Sequence, residues 1–423
     1  MARAPSPWQP IRRCSYRSPT DPPRSGPGST RAARCPKRNS VVLVAGLYET
    51  SFDDLASLLE GEPEYRARQI WDGLYRRLQR PDEMTDLPMG LRERVSQALP
   101  TSLELAIQSE ADGGSTVKWL WSLEGGVSVE TVLMVYRDRV TVCVSTQAGC
   151  AMGCEFCATG QSGFRRHLTS GEIVEQVVEA ARAARPRRLS HVVFMGMGEP
   201  LANYDRTLTA VRRLHGDVGI SARRLTISTV GIVPGIRRLA SEALPVNLAV
   251  SLHAANDELR DSLVPINRRY PLGSLSDVCA AYVEATGRRL SFEWALIDGV
   301  NDRASDIEEL STLARALAAH VNLIPLNPTP GYAVRGSPRR RVREFREALA
   351  NRGVNATVRA TRGTSISAAC GQLAGDAASA TPPGSLPQEA STPRRPAGTP
   401  PRSTSAAPRV DRVELGVQAR GKA

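Results

Sequence analysis

Cys150, Cys154 and Cys157 stand in one glycine-bearing stretch, Cys-Ala-Met-Gly-Cys-Glu-Phe-Cys, with the spacing CxxxCxxC. Thiolates this close can wrap a single metal centre, and their softness selects zinc, copper(I) or an iron–sulfur cluster. A structural zinc would draw a fourth Cys or His from a similarly short spacing. Here His167 lies ten residues beyond Cys157, and the other cysteines are remote in sequence. On a cubane cluster, three ligands leave one iron open to a substrate. A second candidate follows in Gly196-Met197-Gly198-Glu199-Pro200, a glycine-rich turn carrying an acid. Alone such a turn is weak evidence, and its interest lies in its position one strand after the cysteines.

These residues need elements to hold them. From residue 140 onward, short apolar runs at 140–145, 191–195, 225–229, 246–252, 290–297, 321–325 and 356–359 predict strands. Between them, helical periodicity marks 171–184, 205–215, 234–242, 274–286, 305–319 and 339–352. Repeated strand–helix units close into a parallel sheet or barrel with helices outside. In such barrels chemistry sits at the C-terminal ends of the strands, where both candidate segments fall. Residues 41–102 read as a small helical accessory domain, with apolar Phe52, Leu55, Leu58, Leu59 and Ile70, Leu74, Leu78 three and four apart. Ser51 before Phe52-Asp53-Asp54 is a helix N-cap with acids in the first turn. Residues 103–142 alternate as a few strands joined by Gly113-Gly114 and Gly125-Gly126 turns.

The 423 residues carry 55 Lys+Arg against 43 Asp+Glu, a formal charge of +12. Such an excess suggests a nucleic-acid partner, but its distribution matters. Residues 1–40 hold nine basic residues and one acid, and residues 376–423 hold seven and four, which leaves 39 basic against 38 acidic residues between. Both ends are rich in Pro, Ser and Arg without hydrophobic period and read as disordered tails. The first lacks an amphipathic helix or a signal-peptide apolar core. Any polyanion site on the body is therefore local. No run of eighteen apolar residues exists to cross a bilayer, and eight cysteines are too sparse for a disulfide scaffold.

The cysteine loop and the Gly-Glu-Pro segment together resemble the radical S-adenosylmethionine (SAM) superfamily, which implies an α/β fold, a partial (β/α)6 barrel spanning 143–375. Six stretches in order narrow the resemblance. They are 143–150, 195–200, Ser251-Leu-His-Ala-Ala-Asn-Asp257, Val264-Pro-Ile-Asn267, Asn322-Leu-Ile-Pro-Leu-Asn-Pro328, and Thr361-Arg-Gly with Ala369-Cys370-Gly-Gln-Leu373. Together they are similar to the RlmN/Cfr methyltransferases, which methylate an adenine of large-subunit ribosomal RNA.

That resemblance implies a 4Fe-4S cluster on Cys150, Cys154 and Cys157 and two SAM molecules per turnover. Cys370 would take a methyl group from the first as a thiolate nucleophile. A 5′-deoxyadenosyl radical from the second would take hydrogen from the S-methyl group, and the carbon radical would add to the base. Cys143 would then attack Cys370 sulfur, release the product and leave a disulfide for a reductant to reopen. Glu130, thirteen residues before Cys143, would be the proton acceptor. Gly198, Glu199, Ser228, Ser251, Leu252, His253 and Asn327 would contact SAM; taken alone, His253 reads as a hydrogen-bonded structural histidine.

The implied partners are 23S rRNA, tRNA and an electron donor of the flavodoxin or ferredoxin type, for a cytoplasmic monomer without membrane attachment. Methylation at C2 of adenine, in rRNA and beside the tRNA anticodon, is the favoured outcome. Cfr-type methylation at C8 and a non-catalytic iron–sulfur RNA-binding protein are the rivals. One departure stands out: Ser367 occupies a position where the family has an acid, so the loop bearing Cys370 is expected to be positioned or activated differently. For RNA contact, Arg182, Arg185, Arg187, Arg188, the pairs at 212–213, 223–224 and 237–238, and Arg339–Arg341 offer charge, although each cluster alone suits a solvated helix face. The helical segment is the better candidate.

Overall fold

The computed structural model describes residues 46–329, 331–359 and 362–375; the tails predicted at 1–40 and 376–423 lie outside them. Helices α1 (Phe52–Leu58), α2 (Tyr65–Tyr75) and α3 (Met89–Ala98) come first. Ser51 caps α1, its hydroxyl accepting from the Asp54 amide while Asp54 reaches back, the reciprocal capping expected of this sequence. Leu55, Leu59, Ile70 and Leu74 are buried in one apolar core continuous with that of the barrel. Leu58, grouped with them by spacing, is instead 37% exposed.

Strands β1 (Glu104–Ala111), β2 (Thr116–Leu123) and β3 (Val127–Val135) form an antiparallel meander. Its turns fall at the two predicted glycine pairs, all four with left-handed φ between 65° and 84°. β3 pairs with β4 (Val140–Cys143), and there the sheet changes character. β4 is followed by a small antiparallel hairpin, β5 (Gln147–Gly149) and β6 (Phe164–His167), with the one-turn helix α4 (Ala158–Gln161) between its strands. The repeat then runs α5 (Ser170–Ala183), β7 (His191–Phe194), α6 (Tyr204–Gly216), β8 (Leu225–Thr229), α7 (Val233–Ala240), β9 (Asn247–Ser251), α8 (Asp257–Leu263), α9 (Leu272–Thr286), β10 (Leu290–Leu296), α10 (Ala304–Ala316), β11 (His320–Pro325), α11 (Arg339–Asn351) and β12 (Ala356–Val358).

All strands except β5 and β6 join one sheet, in the order β1-β2-β3-β4-β7-β8-β9-β10-β11-β12. Neighbours from β4 onward are parallel, and the order never returns on itself, which fits the partial barrel that the resemblance implied. β4, β8, β9 and β10 are almost wholly buried, as strands covered on both faces must be. The hairpin β5–β6 and the helix α8 went unread, because strands of three and four residues and a helix of seven carry too little periodicity.

Most of the arginines singled out for RNA serve the fold. Arg182 forks onto Glu83 at 2.6 and 2.7 Å and reaches Leu78 O, tying α5 to the segment after α2. Arg213 donates to Tyr48 O and Glu49 O, Arg185 to Arg77 O, Arg187 to Tyr136 O and Arg188 to Gly219 O. Arg212 pairs with Glu242, Arg238 with Asp205 and Arg340 with Glu344. Arg76 adds a bond to Gly216 O, and Trp71 one to Asp217.

Candidate active site

The cysteine loop leaves the C-terminal end of β4 and is held by the β5–β6 hairpin. Cys150 N donates to Gly163 O across the hairpin's neck. Gly149 there has φ 70°, and a Cβ on it would lie 1.8 Å from Gly163 O, so only glycine fits. The loop is clamped to the Gly-Glu-Pro segment by Ser145, which accepts from Met197 N, and by Gln147, which accepts from Glu199 N at 2.8 Å. Gly198 is pressed against Gln147: a Cβ there would meet the Gln147 side chain at 2.4 Å.

Between these segments and the strand ends lies a cavity of about 160 Å3. Cys150, Cys154 and Cys157 line it, with Gly198, Glu199, Ser228, Ser251, His253 and Asn327. Leu252 and Glu130, also expected at the site, are not among its lining residues. Leu252 is fully buried, its amide donating to Glu293 O. Glu130 is 1% exposed and ion-paired with Lys118 at 3.3 Å, and it accepts from Gly375 N at 3.3 Å. It is therefore neither a solvated strand carboxylate nor a wall of the main cavity.

Burial raises the pKa of all three cysteine thiols, that of Cys150 to about 12. Buried thiols that resist ionisation need a cationic partner to become ligands. Among the described residues no group of three His, Cys, Asp or Glu is set to hold a single metal ion. Three soft donors lining one cavity fit an iron–sulfur cluster.

Glu199 is buried, and burial pushes its carboxyl up to about 7. Its oxygens accept from Leu201 N and Val230 N, so it fixes the loop to the end of β8. His253 adopts φ 59° and accepts from Ala295 N through Nδ1, and burial drops its pKa to about 3. It is a neutral histidine with its proton on Nε2, held as the structural reading expected. Arg260, which the sequence did not single out, is fully buried. It donates to Leu252 O, Val230 O and Asn267, joining the ends of β8 and β9 to the Val264–Asn267 stretch.

Cys370 sits on a loop that folds back over the site. Ala158 N donates to Gly371 O, Thr159 to Leu373 O, and Asn327 to Cys370 O. The same loop is anchored to the meander, with Gly363 N on Asp112 and Lys118 Nζ 3.4 Å from Ser367 O. Ser367 takes a left-handed φ of 50° at the end of a short 3-10 turn. Cys370 lines the main cavity and a second, smaller one that Cys143 also lines. Burial pushes Cys143 up to about 12, with Arg359 opposing. All six cysteines of the described residues are free thiols. Arg359 and Glu293, both cavity-lining, were missed by the sequence reading; each sits inside or beside an apolar strand run that gives no cue to what it faces.

Open barrel, cysteine triplet and glycine-acid segment define an enzyme of the radical SAM class, and residues 144–314 match the Radical SAM superfamily model. The chain is 50% identical over 347 residues to a Chloroflexus aurantiacus protein described as a probable dual-specificity RNA methyltransferase RlmN, covering 78% of this chain and 92% of that one. A Salinispora tropica protein of the same description is 52% identical, with 74% and 88% covered. The crystal structure of a radical SAM methyltransferase from Sphaerobacter thermophilus superposes with TM-score 0.76 at 52% identity, covering 78% of this chain and all of that one. The chain belongs to the RlmN family of radical SAM methyltransferases.

Proposed function

We propose that the protein methylates C2 of a specific adenosine in 23S rRNA, at the peptidyl-transferase centre, and of the adenosine beside the anticodon in some tRNAs. The relatives' description as dual-specificity RNA methyltransferases supports this. The observation that carries it is the place of Cys370, on the wall between a cavity bearing the cysteine triplet and one bearing Cys143. A methyl carrier must face both the radical source and the thiol that releases it.

Adenine C2 is electron-poor and has no acidic proton, so polar attack on a SAM methyl group is closed and a radical route is required. Cys150, Cys154 and Cys157 would hold a 4Fe-4S cluster, which supplies the electron that turns bound SAM into a hydrogen-abstracting radical. Gly198, Glu199, Ser228, Ser251, Leu252, His253 and Asn327 would seat SAM, with Leu252 and Glu199 acting through backbone placement. Cys370 accepts a methyl group from a first SAM, gives up one hydrogen atom of it during the turnover of a second, and delivers the carbon to C2. Glu130, held by Lys118, takes the C2 proton. The adduct gives one electron back to the donor system, Cys143 attacks Cys370 sulfur to form a disulfide, and the released carbon takes up a proton to become the product's methyl group. A flavodoxin- or ferredoxin-type donor returns the electrons, which suits a monomer in the reducing cytoplasm. The helical segment 41–102 grips the RNA, and exposed Tyr65, with the Arg66 guanidinium 4.9 Å from its ring centre, is a stacking surface there.

Anaerobically reconstituted protein, SAM, reductant and an rRNA fragment, followed by digestion and mass spectrometry, test the reading. It expects 2-methyladenosine, none with Cys370→Ala, and RNA left covalently attached to Cys143→Ala. Formation of 8-methyladenosine would assign the Cfr-type activity instead.

A further inference from the structure

Glu293 and Arg359 take no part in the steps above, yet both line the main cavity. Glu293 lies on β10, opposite Ser251 of β9 and Asn322 of β11. It is 4% exposed. Its Oε1 accepts from Asn322 Nδ2 at 2.8 Å, and its Oε2 has no hydrogen-bond partner among the described residues. Arg359 follows β12, its amide fixed on Leu323 O at 2.8 Å, and its side chain lines both cavities. Its charge is held by Cys370 first, then Glu293 and Cys143. No ion pair within 4.0 Å joins Arg359 to Glu293 among the described residues. A buried acceptor and a guanidinium in 3.7 Å contact with Met195 Sδ thus line one cavity without pairing.

A carboxylate oxygen walled off from water without a donor is costly, about 1–3 kcal/mol, unless a ligand supplies one. The matching ligand offers a donor beside an acceptor in one plane. The Watson–Crick edge of adenine has that pattern, the N6 amino group beside N1, and enzymes acting on a flipped base read this edge. We propose that Glu293 Oε2 accepts from N6 of the target adenine while Arg359 donates to N1, setting C2, the carbon bonded to N1, against Cys370. The assignment rests on the reading of Cys370 as the carbon carrier. It has two consequences. Guanine would set its O6 acceptor against Glu293 and its N1–H donor against Arg359, so both contacts fail and the site selects adenine. C8 lies at the far end of the purine, away from Cys370, so this pose methylates C2.

The test compares RNA fragments carrying adenosine or purine riboside, which lacks the 6-amino group, at the target position, with wild type and Glu293→Gln. The glutamine keeps the shape and its Oε1 can still accept from Asn322, which turns Nε2, a donor, toward the base. Wild type should lose about 10- to 100-fold in kcat/KM on removal of the amino group, the cost of one buried unpaired acceptor. E293Q should lose a similar factor on adenosine RNA and show no preference between the two RNAs, with SAM affinity by equilibrium dialysis and thermal midpoint unchanged. Equal use of the two RNAs by wild type overturns the proposal without any variant. So does an E293Q protein that keeps the full preference for adenosine, or one that has lost affinity for SAM, which would place Glu293 at the cofactor. Wild type that yields no methyladenosine at all overturns the reading of function beneath it.

Discussion

Replacing Arg260 by methionine removes the fully buried guanidinium that binds the loops after β8 and β9 together. Three strong bonds go, to Leu252 O at 3.1 Å, Asn267 Oδ1 at 2.7 Å and Val230 O at 2.6 Å. Acceptors left unpaired in a buried site cost about 1–3 kcal/mol each, so the loss is roughly 3–9 kcal/mol. Against this stands the cost of keeping the charge buried. Burial lowers the Arg260 pKa from 12.5 to about 10, which corresponds to about 3 kcal/mol that methionine no longer incurs. The net destabilisation is then of order 3 kcal/mol. SAM affinity should fall by about tenfold or more, because Ser228 and Ser251 end the strands these loops extend. Lysine should not rescue, since its single ammonium lacks the fork that reaches acceptors on three segments. Urea unfolding followed by far-ultraviolet dichroism gives the stability, and equilibrium dialysis gives SAM binding. A methionine variant as stable as wild type with full SAM affinity would refute the reasoning, and so would full rescue by lysine.

Two further outcomes follow from the geometry. Gly149→Ala places a Cβ 1.8 Å from Gly163 O at φ 70°, so the neck of the cysteine loop must open; iron incorporation should fall several-fold, read from iron content and visible absorbance after anaerobic reconstitution. Glu175 is buried and accepts from Ser102 N and Leu103 N, and burial lifts its carboxyl to about 7. A raised carboxyl pKa favours the protonated fold, so this group's contribution is complete below pH ~4.5 and is lost as pH rises through 7, by about 3 kcal/mol. Glu175→Gln should flatten the thermal midpoint between pH 5 and 8, and a profile parallel to wild type would contradict the assignment.

Much of the barrel was legible because its determinants are local. Strand and helix bounds from 140 to 359 agree within two or three residues, since the central apolar runs are buried on both faces and the helices show an apolar stripe. The glycine pairs announced the meander's turns through their need for positive φ. The arginine clusters suited a solvated helix face by spacing, but a guanidinium's partner is set by tertiary contact: Arg182 and Arg213 close the accessory segment onto the barrel, and nothing in their spacing says so. Glu199 and His253 were placed at the site, but the structure gives them backbone partners that make them scaffolding as much as contact.

The sequence by itself determined the chemistry available. The CxxxCxxC spacing brings three soft donors to one loop because eight residues cannot separate them, and the open α/β repeat follows from periodicity alone. Only the tertiary structure decided which distant groups meet. Cys143 and Cys370, 227 residues apart, line one cavity because the last loop folds back over the barrel mouth, and Glu130 pairs with Lys118 because β2 and β3 lie side by side. Arg359 and Glu293 acquire meaning in the same way. Such proximity is set by the register of strands and the path of loops, which depend on the packing of the whole core and leave no periodic trace in the chain.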